Sequence, residues 1–158
     1  MAEFIAFTYK TFLSFQFSKR WMVAISYGVL CHVLFTISVL AMLVSMFFGM
    51  SQSFGKVPHP YSHFANLLLI IQFPLAHSFL LSSIGKKYLL YFSPKNYSLS
   101  LAPTVFVVLA SIQLFLLFFF WTPTKIIIWQ ASGTSFFLMC SLYSLSWLLL
   151  IWATIDAG

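Results

Sequence analysis

Four long apolar runs dominate the chain, and short stretches rich in proline, glycine and lysine separate them. The runs cover residues 22–49, 62–84, 100–121 and 126–155. A helix rises about 1.5 Å per residue and needs roughly 20 apolar residues to cross the hydrocarbon core of a bilayer. Every run reaches that length, so the sequence predicts an all-α polytopic membrane protein, a bundle of about four transmembrane helices within residues 21–158.

The segment before the first run, residues 1–20, is predicted to lie along the membrane interface. It carries five phenylalanines together with Lys10 and Lys19, a composition typical of an interfacial amphipathic helix. A disordered tail is the alternative.

Composition supports the membrane assignment. Hydrophobic residues make up 61% of the chain and charged residues only 6%, which leaves too little polar surface for a water-soluble fold. The net charge of +6 is spread over short connections and forms no dense patch, so nucleic acid is a poor candidate partner. The expected surroundings are a lipid bilayer, either a bacterial inner membrane or an organelle membrane.

Basic residues in the connections predict the orientation, because cytoplasmic loops carry an excess of lysine and arginine. Six basic residues lie before the first run or between the second and third: Lys10, Lys19, Arg20, Lys86, Lys87 and Lys95. The connections on the opposite side contain two, Lys56 and Lys125. The first side is therefore predicted to be cytoplasmic. Four crossings return the C-terminus to the same side as the N-terminus.

Polar side chains within the second run are the candidate site residues, because burying them in a membrane costs free energy. At 100° per residue, His63, Asn66 and His77 lie on one face of a helix, which predicts that they point into the bundle. Pro74 removes a backbone hydrogen bond three residues before His77. Two interpretations of His77 stay open: a packing role through a hydrogen bond to a neighbouring helix, and a direct role with a substrate or cofactor.

A b-type haem is a further alternative. His32 and His77 lie at similar predicted depths, as two imidazole ligands of one iron would. The residues that other catalytic sites require are missing. Glu3 and Asp156 are the only side-chain carboxylates, and the sequence has no glycine-rich phosphate loop. The sequence therefore assigns no catalytic residue and no metal site.

Three stretches together resemble a family of membrane methyltransferases. They are Phe73–Ser78 followed by Lys86, Lys87 and Pro94; Val108–Ser111 leading to Phe120–Pro123 and Ile128–Trp129; and Trp147–Asp156. The first is similar to a His-Ser motif with a basic loop, the second to a third helix with a Trp-x-Pro exit, and the third to the helix before the catalytic half. The family comprises methanethiol S-methyltransferase, NnrU-like proteins and isoprenylcysteine carboxyl methyltransferases.

This resemblance implies methyl transfer from S-adenosylmethionine to a small lipophilic acceptor, such as a thiol, at the cytoplasmic face. It also makes His77 a candidate for lining the acceptor pocket or packing beneath it. Asn66 and Ser78, on the same helix, are further candidates for this pocket. In the family the methyl-donor site is built mainly by a C-terminal half, and no residue here matches that half. The chain is therefore expected to be the N-terminal half of a longer protein or a shortened relative without catalysis. A non-catalytic membrane subunit that binds a protein partner is the alternative function.

Overall fold

A computed structural model describes residues 19–127 and 129–157. The interfacial segment expected at residues 1–20 lies outside the described residues, except for its last two residues, which belong to the first helix. The structure has five α-helices, and no strand occurs in the described ranges. They are α1 (Lys19–Phe47), α2 (Tyr61–Leu81), α3 (Ser83–Phe92), α4 (Ser98–Phe119) and α5 (Thr134–Ala157), with a short 3-10 turn at Lys95–Tyr97 before α4.

Four of these helices, α1, α2, α4 and α5, are long and apolar enough to cross a bilayer. The prediction of an all-α, integral membrane protein with four spans is thereby confirmed. We call the end of the bundle where α1 and α4 finish and α2 and α5 begin the Lys56 end, after a lysine in the α1–α2 connection. The opposite end, where α3 lies, is the Lys86 end.

Helix α4 is the centre of the bundle, since α1, α2 and α3 all pack on it. Ser38 and Ser45 of α1 donate to the main-chain oxygens of Ser111 and Phe118, at 2.7 and 3.5 Å. Each pair is 73 residues apart, so α1 and α4 run parallel. Serine at these positions lets the two backbones approach closely, which is how helices associate in lipid.

The second apolar run is divided into two helices at Ser82. The main-chain nitrogen of Ser82 still bonds to Phe79, but its extended backbone ends α2, and its hydroxyl accepts from the Gly85 nitrogen at 3.1 Å to begin α3. A side chain at Gly85 would overlap the main chain of Phe79 and Leu80. The expected span of residues 62–84 thus corresponds to α2 plus the first turn of α3.

The last apolar run begins as an irregular connection. Residues 121–127 and 129–132 are not helical, and α5 starts only at Thr134, directly after Gly133 with a φ of 54°. Helix α5 is joined to α1 by Tyr143, whose hydroxyl donates to the Leu43 main-chain oxygen at 2.7 Å. None of its described side chains is buried, so nearly all of its surface is available to lipid.

The predicted orientation can be tested by cysteine labelling. In a chain with Cys31 and Cys140 replaced by alanine, Lys56→Cys should react with an impermeant maleimide added outside intact cells. Lys86→Cys should react only after permeabilisation, because one span separates the two positions. Labelling of both positions from the same side would contradict the topology.

Candidate functional site

Polar side chains inside the bundle concentrate where α2 packs on α4. Three levels follow one another along this contact: Asn66 with Thr122, Gln72 with Gln113, and His77 with Phe106. We call these six residues the α2–α4 seam. Residue numbers rise along α2 as they fall along α4, so the two helices are antiparallel, as consecutive crossings require.

Asn66 closes the seam at the Lys56 end by pairing with the main chain just after α4. The side-chain nitrogen of Asn66 donates to the main-chain oxygen of Thr122 at 2.8 Å. The main-chain nitrogen of Thr122 donates to the side-chain oxygen of Asn66 at 2.9 Å. Both residues are buried. Backbone groups that leave a helix near lipid must find partners, and Asn66 supplies both of them here.

His77 lies in an aromatic setting nearer the Lys86 end. The Phe73 ring stacks on its imidazole at a centroid distance of 5.7 Å, and Phe106 meets it edge-on at 5.0 Å. The Nδ1 atom is buried and has no hydrogen-bond partner. A buried polar atom without a partner costs free energy, so this nitrogen has capacity for one further hydrogen bond.

The remaining candidate residues are not brought to His77. Asn66 is eleven residues earlier on α2, about 16 Å along the helix axis. Ser78 is exposed and points about 100° away from His77 around the same helix. His32 is exposed on α1, where its Nδ1 lies 2.7 Å from the Gly28 oxygen, and α1 and α2 each pack on α4.

The middle level of the seam was not anticipated from the sequence. Gln72 donates to the main-chain oxygen of Gln113 at 3.0 Å, while the side-chain oxygen of Gln113 is buried without a partner. The sequence signal for this contact is the presence of Gln72 and Gln113 in otherwise apolar runs, because side-chain amides seldom face lipid. The seam therefore holds two unsatisfied buried atoms, Gln113 Oε1 and His77 Nδ1.

The described residues do not fit S-adenosylmethionine. Its ribose and amino-acid groups need several polar partners, yet the rings around His77 are phenylalanines. The described part of the chain has one carboxylate, Asp156, near the end of α5. Residues 19–127 and 129–157 also contain no group of three His, Cys, Asp or Glu side chains that could hold a metal ion.

Comparison with known proteins identifies a similar sequence. Over 84 residues the chain is 33% identical to methanethiol S-methyltransferase 2 of Bradyrhizobium diazoefficiens, a match that covers 53% of this chain and 31% of that relative. No protein-family model and no solved structure matches the chain. The resemblance to a methyltransferase of this family is thereby confirmed over the matched part of the chain.

Replacing Asn66 tests the closure of the seam. Asn66→Ala leaves the main-chain nitrogen and oxygen of Thr122 without their partner and should lower the free energy of unfolding by about 1–2 kcal/mol. Equilibrium unfolding in mixed micelles measures the change. The matched control is Asn96→Ala, at an exposed position, which should change stability by less than about 0.5 kcal/mol. Equal effects of both variants would contradict a structural role for Asn66.

Proposed function

We propose that this chain is the acceptor-binding, membrane-embedded part of an S-adenosylmethionine-dependent methyltransferase that acts on a small lipophilic thiol. The similarity to methanethiol S-methyltransferase 2 supports the reaction class. The observation that carries the acceptor site is the buried, unpartnered Nδ1 of His77 among aromatic rings. The residues that would hold the methyl donor are not among the described ones.

A thiol must lose its proton to become an effective nucleophile, since the thiolate is the reactive form. In the tautomer with a free lone pair on Nδ1, His77 accepts the S–H hydrogen bond and then the proton. The S–H bond breaks, an N–H bond forms, and the electron pair stays on sulfur for methylation. Imidazole suits this task because histidine is the side chain that most often serves as a general base.

The aromatic rings beside His77 suit the rest of such an acceptor. Sulfur makes favourable contacts with the edges of aromatic rings, and Phe73 and Phe106 present such rings next to Nδ1. A small neutral thiol also partitions into the hydrocarbon core. It can therefore reach the half-buried His77 from the lipid.

His77→Phe is the sharpest test, because phenylalanine retains an aromatic ring against Phe73 and Phe106 but removes the nitrogen. We expect it to lower methyl transfer from labelled S-adenosylmethionine to propanethiol by at least about 100-fold. The assay uses membranes of cells that express the protein from its natural gene. Thermal unfolding of the purified variant should stay near that of the unchanged protein.

The control for this assay is His32→Phe, which alters an exposed histidine on another helix. It should retain activity within about twofold. No methylation of any thiol by the unchanged protein would overturn the proposed reaction, and full activity of His77→Phe would overturn only the role of His77.

The unpacked surface of α5 favours a second candidate function, that of a non-catalytic subunit that binds another membrane protein. No described side chain of α5 is buried, and Trp152 is 72% exposed. If α5 binds a partner, the complex extracted from native membranes in mild detergent should be larger than the chain alone. Trp152→Ala should then reduce it to the size of the single chain, and a single-chain size for the unchanged protein would exclude this function.

A further inference from the structure

The connections at the Lys56 end enclose a cavity that the proposed methyl transfer does not use. Its volume is about 500 Å³. The walls come from the α1–α2 connection, the first turn of α2 and the chain after α4, and they include Lys56, His59, His63 and Lys125. We propose that this cavity binds the phosphate group of an anionic phospholipid; the proposal is independent of the function of His77.

Charge is the first support. Lys56 and Lys125 are the two lysines predicted to lie on the non-cytoplasmic side, where basic residues are disfavoured. Both line the same cavity. The described carboxylate, Asp156, lies at the other end of α5, so no described acidic side chain offsets them there. Two uncompensated ammonium groups at one cavity attract an anion.

Histidine and serine side chains complete the lining. His59 and His63 contact each other edge-on, with ring centroids 5.4 Å apart, and both rings border the cavity. The hydroxyl of Ser53, also in the wall, is buried and has no hydrogen-bond partner. A phosphate group has several acceptor oxygens, which match ammonium, imidazole and hydroxyl donors.

The walls are held in place by hydrogen bonds between the two connections. The Phe54 nitrogen donates to the Phe119 oxygen at 2.9 Å, and the Gly55 nitrogen donates to the Trp121 oxygen at 3.0 Å. A side chain at Gly55 would overlap the main-chain oxygens of Phe120 and Trp121, so glycine permits this close approach. A cavity formed before the ligand arrives loses less conformational entropy on binding.

The apolar surroundings favour a lipid over a free anion. Exposed aromatic and aliphatic side chains flank the cavity-lining segments on both connections: Phe54, Tyr61, Ile126, Ile127 and Trp129. Such residues, tyrosine and tryptophan above all, anchor at the depth of the lipid headgroups. A lipid whose phosphate binds among them would lay its acyl chains along the exposed surface of α2.

The test measures lipid binding to the purified full chain in a neutral detergent by native mass spectrometry. The probes are dioleoylphosphatidylglycerol, dioleoylglycerol with the same acyl chains but no phosphate, and inorganic phosphate. The unchanged protein should bind phosphatidylglycerol and not dioleoylglycerol. The double variant Lys56→Gln with Lys125→Gln should raise the Kd by about 30-fold, because each lysine contributes to phosphate attraction.

Two further variants complete the test. Lys56→Arg with Lys125→Arg should retain binding, since arginine also binds phosphate. Lys86→Gln with Lys87→Gln removes the same charge at the other end and should change the Kd by less than about threefold. The proposal would be overturned if that control lost as much affinity for phosphatidylglycerol as the Lys56→Gln with Lys125→Gln variant, or if the latter variant lost none. Displacement of the lipid by millimolar inorganic phosphate would assign the cavity to free phosphate and overturn the lipid assignment.

Discussion

Every main-chain nitrogen and oxygen inside a bilayer needs a partner from the protein, and this constraint shapes the whole bundle. Most are satisfied within the helices. The contacts between helices also use main-chain oxygens. Side chains of the neighbouring helices donate to main-chain oxygens of α4 and of the connection that follows it. Ser38 reaches Ser111, Gln72 reaches Gln113 and Asn66 reaches Thr122. Tyr143 does the same to α1.

The sequence predicted the features that depend on length and hydrophobicity. Runs longer than a membrane crossing needs, with breakers between them, were sufficient for four spans, because few alternatives exist for such segments in lipid. Local main-chain geometry was less accessible. The end of one helix and the start of the next at Ser82 depend on one extended residue and on the lack of space at Gly85. The irregular chain before Thr134 ends at Gly133, beside Ser132, and this local composition does favour a break in the last run.

The candidate site was predicted in part. Helical periodicity placed His63, Asn66 and His77 on one inward face of α2. Asn66 and His77 do belong to the seam, whereas His63 is exposed. It did not reveal what each one contacts, since periodicity carries no information about partners on other helices. Asn66 engages the main chain at one end, whereas His77 Nδ1 has no partner near the other. Gln113 was missed for the same reason, because its significance appears only when α2 lies beside it.

Because α4 offers its main-chain oxygens to α1 and α2, the hydrogen bonds between these helices need no polar side chain on α4. Any residue that continues a helix supplies a carbonyl, so these bonds depend on the donors Ser38 and Gln72 and not on the residue types opposite them. The side chains of α4 contribute by their size instead, since Leu101, Val105 and Phe118 are buried. Related chains should therefore share polar residues on the outer helices and side-chain volume on the middle one.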